Sequence, residues 1–440
     1  MKLISKPFDV VIIGAGPVGC VTAMSLANCG ERVLLLEANP NGLRRMAGEW
    51  LHPPALKILQ NLGMEQLIST LRANYVSGLG FVVFPDDGTE PIQLNYPNHN
   101  LGFSCEHNTL VKAFRKAILN CPNIQYIPFA KVTHIEGKKV IYYNKVINKK
   151  QSVFSENIIG ADGRSSIVRK HLGILYKYHL ISYMAGLFLE NVTLPWEGFG
   201  HVFLGGIGPA LVYRIGCNQV RICLDVPVKY FRSSRNLAAF LWDAYSPVLP
   251  KTLLSSFRYA LENRSIAWCA NQFSPRVCYG SKNLTLVGDA TGCYHPITAT
   301  GMTLGFQDAE RLATSKNFQA FQRDRLIRTY VPELLALTLY QVFTRLDYGT
   351  VAIRQAVYQM WRQYPDECYR TMRLLSGEET NILSFSGSFT KGLGIAVSQL
   401  IRDKIIMNHG IENISTLAAF KEWIELPLRI ALHRLSKNYH

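Results

Sequence analysis

Two periods of apolar residues run along the chain and mark out its elements. Asp9 to Ile13 is a short β-branched run that breaks at Gly14-Ala-Gly16-Pro-Val-Gly19, after which Cys20 to Asn28 places apolar residues at helical spacing. That pattern predicts a strand, a tight turn and a helix. A second apolar run, Arg32 to Leu36, follows Gly30 and ends in Glu37. Farther on, Tyr183 to Leu189, His201 to Leu204 and Leu211 to Ile215 read as strands, and Gly205-Gly-Ile-Gly208 lies among them. From about Val331 the period turns helical, through Leu334, Leu335, Leu337, Leu339 and Tyr340 and again over Val351 to Trp361. Loops are expected at Pro365 and across Ser384-Phe-Ser-Gly-Ser. The last apolar stretch, Leu417 to Leu435, sets Phe420, Trp423 and Leu428 among Lys421, Arg429 and Arg434. It fits either an interfacial helix interrupted at Pro427 or a helix packed on its own domain.

Length and composition narrow the class. The 440 residues allow about two or three domains. Apolar residues make up 48% and charged residues 18%, which excludes a disordered chain. No uncharged apolar run reaches the roughly 18 residues that a membrane span needs, and no signal-peptide cleavage region precedes the first strand. The ten cysteines are scattered without a C-x-x-C pair, so zinc and redox dithiols are not expected. They read as reduced, mostly buried thiols of a cytoplasmic protein. The formal charge of +16 suits nucleic acid, anionic lipid or a phosphorylated cofactor equally well. No nucleic-acid motif is present, so nucleic acid is not an expected partner.

The glycine turn carries specific chemistry. Gly14 permits the tight turn, Gly16 lets a pyrophosphate approach the backbone, and Gly19 lets the helix pack against the strand. The helix N-terminus attracts the phosphate charge. Glu37 stands about twenty residues on, where an acid accepts hydrogen bonds from a ribose. An acid there repels a 2′-phosphate, so the expected ligand is FAD or NAD rather than NADP.

Two later segments separate FAD from NAD through a resemblance. Ile158-Ile-Gly-Ala-Asp162-Gly163-Arg-Ser-Ser-Ile-Val-Arg169 resembles the D-G motif of single-component flavoprotein monooxygenases, and Leu286-Val-Gly288-Asp289-Ala290 resembles their G-D motif. The stretch continuing through His295-Pro296-Ile-Thr298 to Gly301-Met302-Thr303 is similar to the squalene epoxidase form of that motif. Upstream, Arg45-Met-Ala-Gly48-Glu49-Trp-Leu-His52-Pro53 resembles that family's arginine followed by G-E-aromatic-L-Q-P. Leu339 to Phe343 and Cys368 to Gly377 extend the likeness into the C-terminal part. Some positions depart from the family. His52 stands where the family has glutamine, Phe81 where it has a tyrosine, and Asn108 or Thr109 where it has a flavin-contacting arginine.

The resemblance implies an α/β (α+β) architecture with an interleaved Rossmann-type FAD-binding domain at 1–72, 101–175 and 279–330. A substrate-binding sheet domain occupies 73–100 and 176–278, and a helical C-terminal region 331–440. By the same implication Asp289 holds the ribityl and pyrophosphate region, Asp162 and Gly163 shape the cofactor site, and Arg45 and Glu49 lie on the adenine or ribityl side. Backbone groups near Gly301 and Met302 face the pyrimidine edge of the isoalloxazine. His52, Phe81, His295 and Pro296 surround the reacting centre, with His295 either a proton donor or the residue that orients its loop. The expected reaction is O2-dependent oxygen insertion through a flavin hydroperoxide, with epoxidation or hydroxylation of an apolar isoprenoid or polyene. Reducing equivalents come from NAD(P)H or a reductase partner, and the protein makes peripheral membrane contact. Ring hydroxylation of an aromatic or quinone precursor and reduction of polyprenyl double bonds are the alternatives on the same scaffold.

Overall fold

The computed structural model describes residues 8–41, 46, 48–64, 67, 71, 75–174, 178–231, 236–276, 278–407, 423 and 425. Arg45 and nearly all of the stretch from Leu417 to Leu435 lie outside the described residues.

The first strand, Val10–Ile13, is buried at every position, as is Val33–Leu36 beside it. Strands buried on both faces belong in the middle of a covered parallel sheet. They sit in a six-stranded sheet ordered Gly280–Ser281, Leu284–Leu286, Asn157–Gly160, Val10–Ile13, Val33–Leu36, Ile124–Ile127. All its pairings are parallel except that of Gly280–Ser281 with Leu284–Leu286. Because side chains alternate along a strand, Val10 and Ile12 join one core while Val11 and Ile13 join another. On the first face pack the helices Pro17–Asn28, His107–Ile118 and Gly301–Thr314, with Phe114 and Phe306 edge to face at 5.5 Å. On the second lies a three-stranded antiparallel sheet, Ala130–Glu136, Lys139–Asn144 and Lys149–Phe154, which contributes Val132, Ile135, Val140 and Tyr142.

A seven-stranded sheet forms the roof, ordered Ala267–Phe273, His179–Glu190, Gln219–Pro227, Ala210–Gly216, Phe199–Phe203, Gly80–Phe84, Ile92–Asn95. The three strands expected in this region are present, and Gly205–Gly208 forms the connection between two of them rather than strand. Along Gln219–Pro227, Val220, Ile222, Leu224 and Val226 face the helices Leu237–Tyr245 and Lys251–Asn263. The opposite face therefore carries Arg221, Cys223 and Asp225. It packs apolar residues such as Met184, Tyr213 and Phe81 with Tyr358 and Trp361 of the helix Tyr348–Gln363.

The helical period from Val331 corresponds to the helices Tyr330–Thr344 and Tyr348–Gln363. Pro365 marks a boundary only, because it opens the next helix, Pro365–Leu375, at a position where proline has no N–H to lose. The loop expected at Ser384 to Ser388 is instead inside the helix Ile382–Met407. Serine and glycine are weak helix formers, but Phe385 and Phe389 stack at 5.9 Å and pack into the core of the neighbouring helices. Tertiary burial outweighs local propensity there. None of the ten cysteines is in a disulfide; Cys20, Cys105, Cys223 and Cys293 are buried, while Cys29 and Cys217 are exposed.

Candidate FAD and active site

The first glycine turn closes tightly everywhere except where a ligand has to come in. Gly14 has φ +103, and a Cβ there would lie 2.7 Å from the Ala161 carbonyl oxygen. A Cβ on Gly19 would lie 1.9 Å from the Gly14 oxygen, so the helix can approach the strand only without one. Over Gly16 nothing lies within 4 Å. Gly16 is also the N-cap of Pro17–Asn28, and no side chain caps that helix. Its first amides and the positive end of its dipole are left for an anion. Glu37 accepts hydrogen bonds from the Ala15 and Asn39 amides, both at 2.8 Å, and its carboxylate has further lone pairs for a ribose. Arg115 pairs with Glu37 at 3.2 Å and donates to the Ala15 carbonyl at 2.8 Å. Nothing in the sequence singled out Arg115, since one arginine in an amphipathic helix resembles any solvated charge.

The two aspartate motifs meet beside this turn. Asp162 accepts from the Ile167 amide at 2.7 Å, and burial raises its pKa against those hydrogen bonds. Gly163 has φ +72, and Arg169 reaches across to donate to the Ala290 carbonyl at 2.6 Å. Gly288, at φ +59, donates its amide to Asp308 at 2.9 Å. Asp289 is held by the fully buried Arg276 at 2.8 Å while its own side chain stays 45% exposed. Asp308 and Arg325 also pair and are both buried; burial raises the Asp308 pKa, while Arg325 and Arg276 oppose that rise. Gly301 opens the helix Gly301–Thr314 with nothing within 4 Å, and Met302 lies against Gly48. Open space at Gly16 and Gly301, with an acid at position 37, fits a cofactor such as FAD, whose anionic groups either helix N-terminus would favour.

The remaining candidate residues serve as joints between units. Glu49, expected beside Arg45 at the flavin, instead turns into the roof sheet. Its carboxylate accepts from Arg221 at 2.6 and 2.8 Å and from the Tyr213 hydroxyl at 3.0 Å. Arg221 also lies 3.7 Å over the Phe188 ring. By its sequence alone Val220-Arg221-Ile222 reads as a strand with one solvated face, so nothing local marks Arg221 as buried. His295 is 1% exposed and its Nε2 lies 3.0 Å from Asp225, which also accepts from Ser182 and Asn271. Its Nδ1 accepts from the Ile297 amide at 3.3 Å, which ties the ring to its own loop. Pro296 next to it is exposed. His52 is fully buried; its Nδ1 is 2.6 Å from the Tyr96 hydroxyl and its Nε2 2.8 Å from the Thr298 carbonyl. Phe81 is 5% exposed, with its ring centroid 5.0 Å from that of Trp50.

Residues 154–409 match the family model for squalene epoxidase. The chain belongs to the squalene epoxidase family. Residues 1–90, which contain the glycine turn, match the model for pyridine nucleotide-disulphide oxidoreductases. Squalene monooxygenase SE1 of Panax ginseng is 31% identical over 310 residues, covering 68% of this chain and 57% of the ginseng protein. Squalene epoxidase ERG1 of Candida albicans is 26% identical over 435 residues, covering 85% of this chain and 88% of the yeast protein. Among solved structures, flavin-dependent brominase Bmp2 superposes with a TM-score of 0.70 at 18% identity, over 90% of this chain and all of that one. The p-nitrophenol 4-monooxygenase PnpA of Pseudomonas putida gives 0.67 at 17% identity, over 85% of this chain and 99% of that one. These likenesses establish the fold. The α/β architecture, the FAD cofactor and the oxidoreductase class expected from the sequence are borne out.

Proposed function

We propose that this squalene epoxidase family member is an FAD-dependent monooxygenase that epoxidises an apolar isoprenoid or polyene, with squalene as the first candidate. NAD(P)H, directly or through a reductase, is the proposed source of electrons. Residues 1–72, 101–175 and 279–330 would hold FAD, and 73–100 with 176–278 would cover the substrate. Bound FAD supplies the redox chemistry and activates O2. The chain's own residues bind, orient and exclude water.

One observation carries this reading. Where the flavin unit meets the roof, Glu49, His52 and His295 are all taken up in buried hydrogen bonds. Around them Trp50, Phe81, Met184 and Tyr213 pack in one buried, largely apolar cluster. Acid–base groups that are tied off beside an apolar core suit oxygen transfer by a cofactor shielded from water. Among the described residues no helix is long and apolar enough to cross a membrane. In this reading a lipid-borne substrate is met at the membrane surface.

Reduced, FAD-loaded protein given dispersed squalene and labelled O2 should yield a product carrying one labelled oxygen atom. Flavin reoxidation with peroxide release and no labelled product, from squalene and from shorter polyenes alike, refutes the reading.

A further inference from the structure

The hydrogen bonds around His52 have a fixed direction. Trp50 Nε1 can only donate, and it lies 2.9 Å from the Tyr96 hydroxyl oxygen. The Tyr96 oxygen has a second lone pair, so its 2.6 Å bond to His52 Nδ1 is directed from the other end: the Thr298 carbonyl takes the Nε2 proton, and Nδ1 of the neutral ring accepts from Tyr96. Nδ1 is therefore bare, and Nε2 donates to the Thr298 carbonyl at 2.8 Å. A carbonyl can only accept. With a pure donor at one end and a pure acceptor at the other, every proton between them is assigned. No other tautomer keeps all three bonds.

The chain of bonds ends at a significant place. Thr298 closes the short turn Pro296–Thr298, Ala299 follows in the left-handed region at φ 53, and Thr300 caps the helix Gly301–Thr314. The Thr298 and Thr300 hydroxyls are 2.8 Å apart. Whatever fixes the Thr298 carbonyl fixes where the first amides of that helix point. His52 itself caps the helix Pro53–Asn61 without a side-chain bond to it, because its ring is turned to Tyr96 and Thr298. The resemblance leads one to expect a phenol at position 81. Here the phenol is Tyr96, which follows the strand Ile92–Asn95 paired with Gly80–Phe84.

We propose that Trp50, Tyr96 and His52 form a neutral strut of positioning residues that sets the Thr298–Thr300 turn, and with it the helix N-terminus at Gly301, against the flavin. The inference rests on the FAD site proposed above. His52 is no proton donor in it: both ring nitrogens are engaged, and burial, opposed in part by the bond to Thr298, lowers its pKa to about 4. Among the described residues the other ionisable groups on the packed elements point elsewhere. Glu49 and Tyr213 face Arg221, and His295 faces Asp225.

The test uses FAD-loaded protein, wild type against His52→Leu, His52→Gln and Tyr96→Phe. A helix N-terminus held at the flavin favours the reduced, anionic form. His52→Leu should lower the ratio of reduced to oxidised FAD affinity about tenfold, read as a fall of about 30 mV in potential. Glutamine has one acceptor and one donor on a planar group, so His52→Gln should recover most of that shift. Tyr96→Phe should fall between leucine and wild type. If His52→Leu does not fold, the ordering of Tyr96→Phe below His52→Gln carries the test. A wild-type potential in His52→Leu, or in Tyr96→Phe where the leucine variant does not fold, overturns the proposal. So does an acid limb of the pH–rate profile that disappears in His52→Gln, since that would make His52 the titrating group. Wild-type protein that binds no FAD at all would instead refute the FAD site on which the strut rests.

Discussion

Gly16 and Gly19 lie three residues apart in one turn, and alanine at each should fail in a different way. Gly16 has φ −74 and ψ 179, ordinary for any residue, with open space where a Cβ would stand. Alanine there loses a little as an N-cap and gains a little by restricting the unfolded chain, so the ligand-free protein should change by no more than about 0.5 kcal/mol. The same methyl would occupy the space a pyrophosphate needs to reach the helix amides. Losing one hydrogen bond to a charged phosphate costs about 1.5–3 kcal/mol, which is about a 10- to 150-fold loss of FAD affinity. At saturating FAD the thermal protection that the ligand confers falls by the same energy. Gly19→Ala places its methyl 1.9 Å from a backbone oxygen, and overpacking of that kind destabilises the ligand-free protein by about 1–3 kcal/mol or more. Flavin fluorescence titration and thermal melts with and without FAD separate the two variants. FAD affinity in Gly16→Ala within about threefold of wild type would place the pyrophosphate somewhere else. Equal destabilisation of both ligand-free variants would contradict the open space over Gly16.

Three further outcomes are expected. Glu49→Ala or Arg221→Ala leaves a buried charge unpaired and should cost about 3–5 kcal/mol in urea denaturation, whereas Glu49→Leu with Arg221→Met should recover much of the loss; a double variant as unstable as the sum refutes the pairing. His52 is held neutral with its pKa near 4, below the 6.5 or so of an unfolded histidine, so its stabilising contribution is full above about pH 6.5 and is lost as pH falls towards 4. That loss amounts to about 3 kcal/mol at most, and a wild type and His52→Gln with the same stability slope between pH 7 and pH 4.5 would exclude it. Asp289→Ala should weaken FAD retention while Cys105→Ala, a buried core thiol, should not; comparable flavin loss in both would remove the case for Asp289.

The elements that were legible in the sequence are those whose cause is local. Gly19 answers a steric demand at Gly14, five residues back in the same turn, and Val10–Ile13 announces its double burial by being apolar throughout. The central strands were legible from β-branched and aromatic residues in short runs. The joints were not, because their partners are far apart in the chain: Glu49 and Arg221 are separated by 172 positions, and His52 and Thr298 by 246. Ser384 to Ser388 misled for the same reason, since two phenylalanines find their packing partners only in the folded protein. Arg276 and Asp308 support the G-D motif from beneath, and nothing in their own neighbourhoods distinguishes them from surface charges.

The joints also bear on His52 and Phe81, where the resemblance leads one to expect glutamine and tyrosine. A glutamine and a neutral histidine each offer one acceptor and one donor at the end of a short side chain, so either can link a hydroxyl to a carbonyl. Once Tyr96 supplies that hydroxyl from the neighbouring strand's end, position 81 is released from polar duty. Phe81 then lies between the Trp50 ring and Leu94 with no donor to satisfy. A buried phenol at position 81 would require an acceptor, and the nearby imidazole nitrogen is already occupied. Position 81 therefore needs no polar partner where it packs beside Trp50 and His52, given the hydrogen-bond direction at 50, 96 and 52.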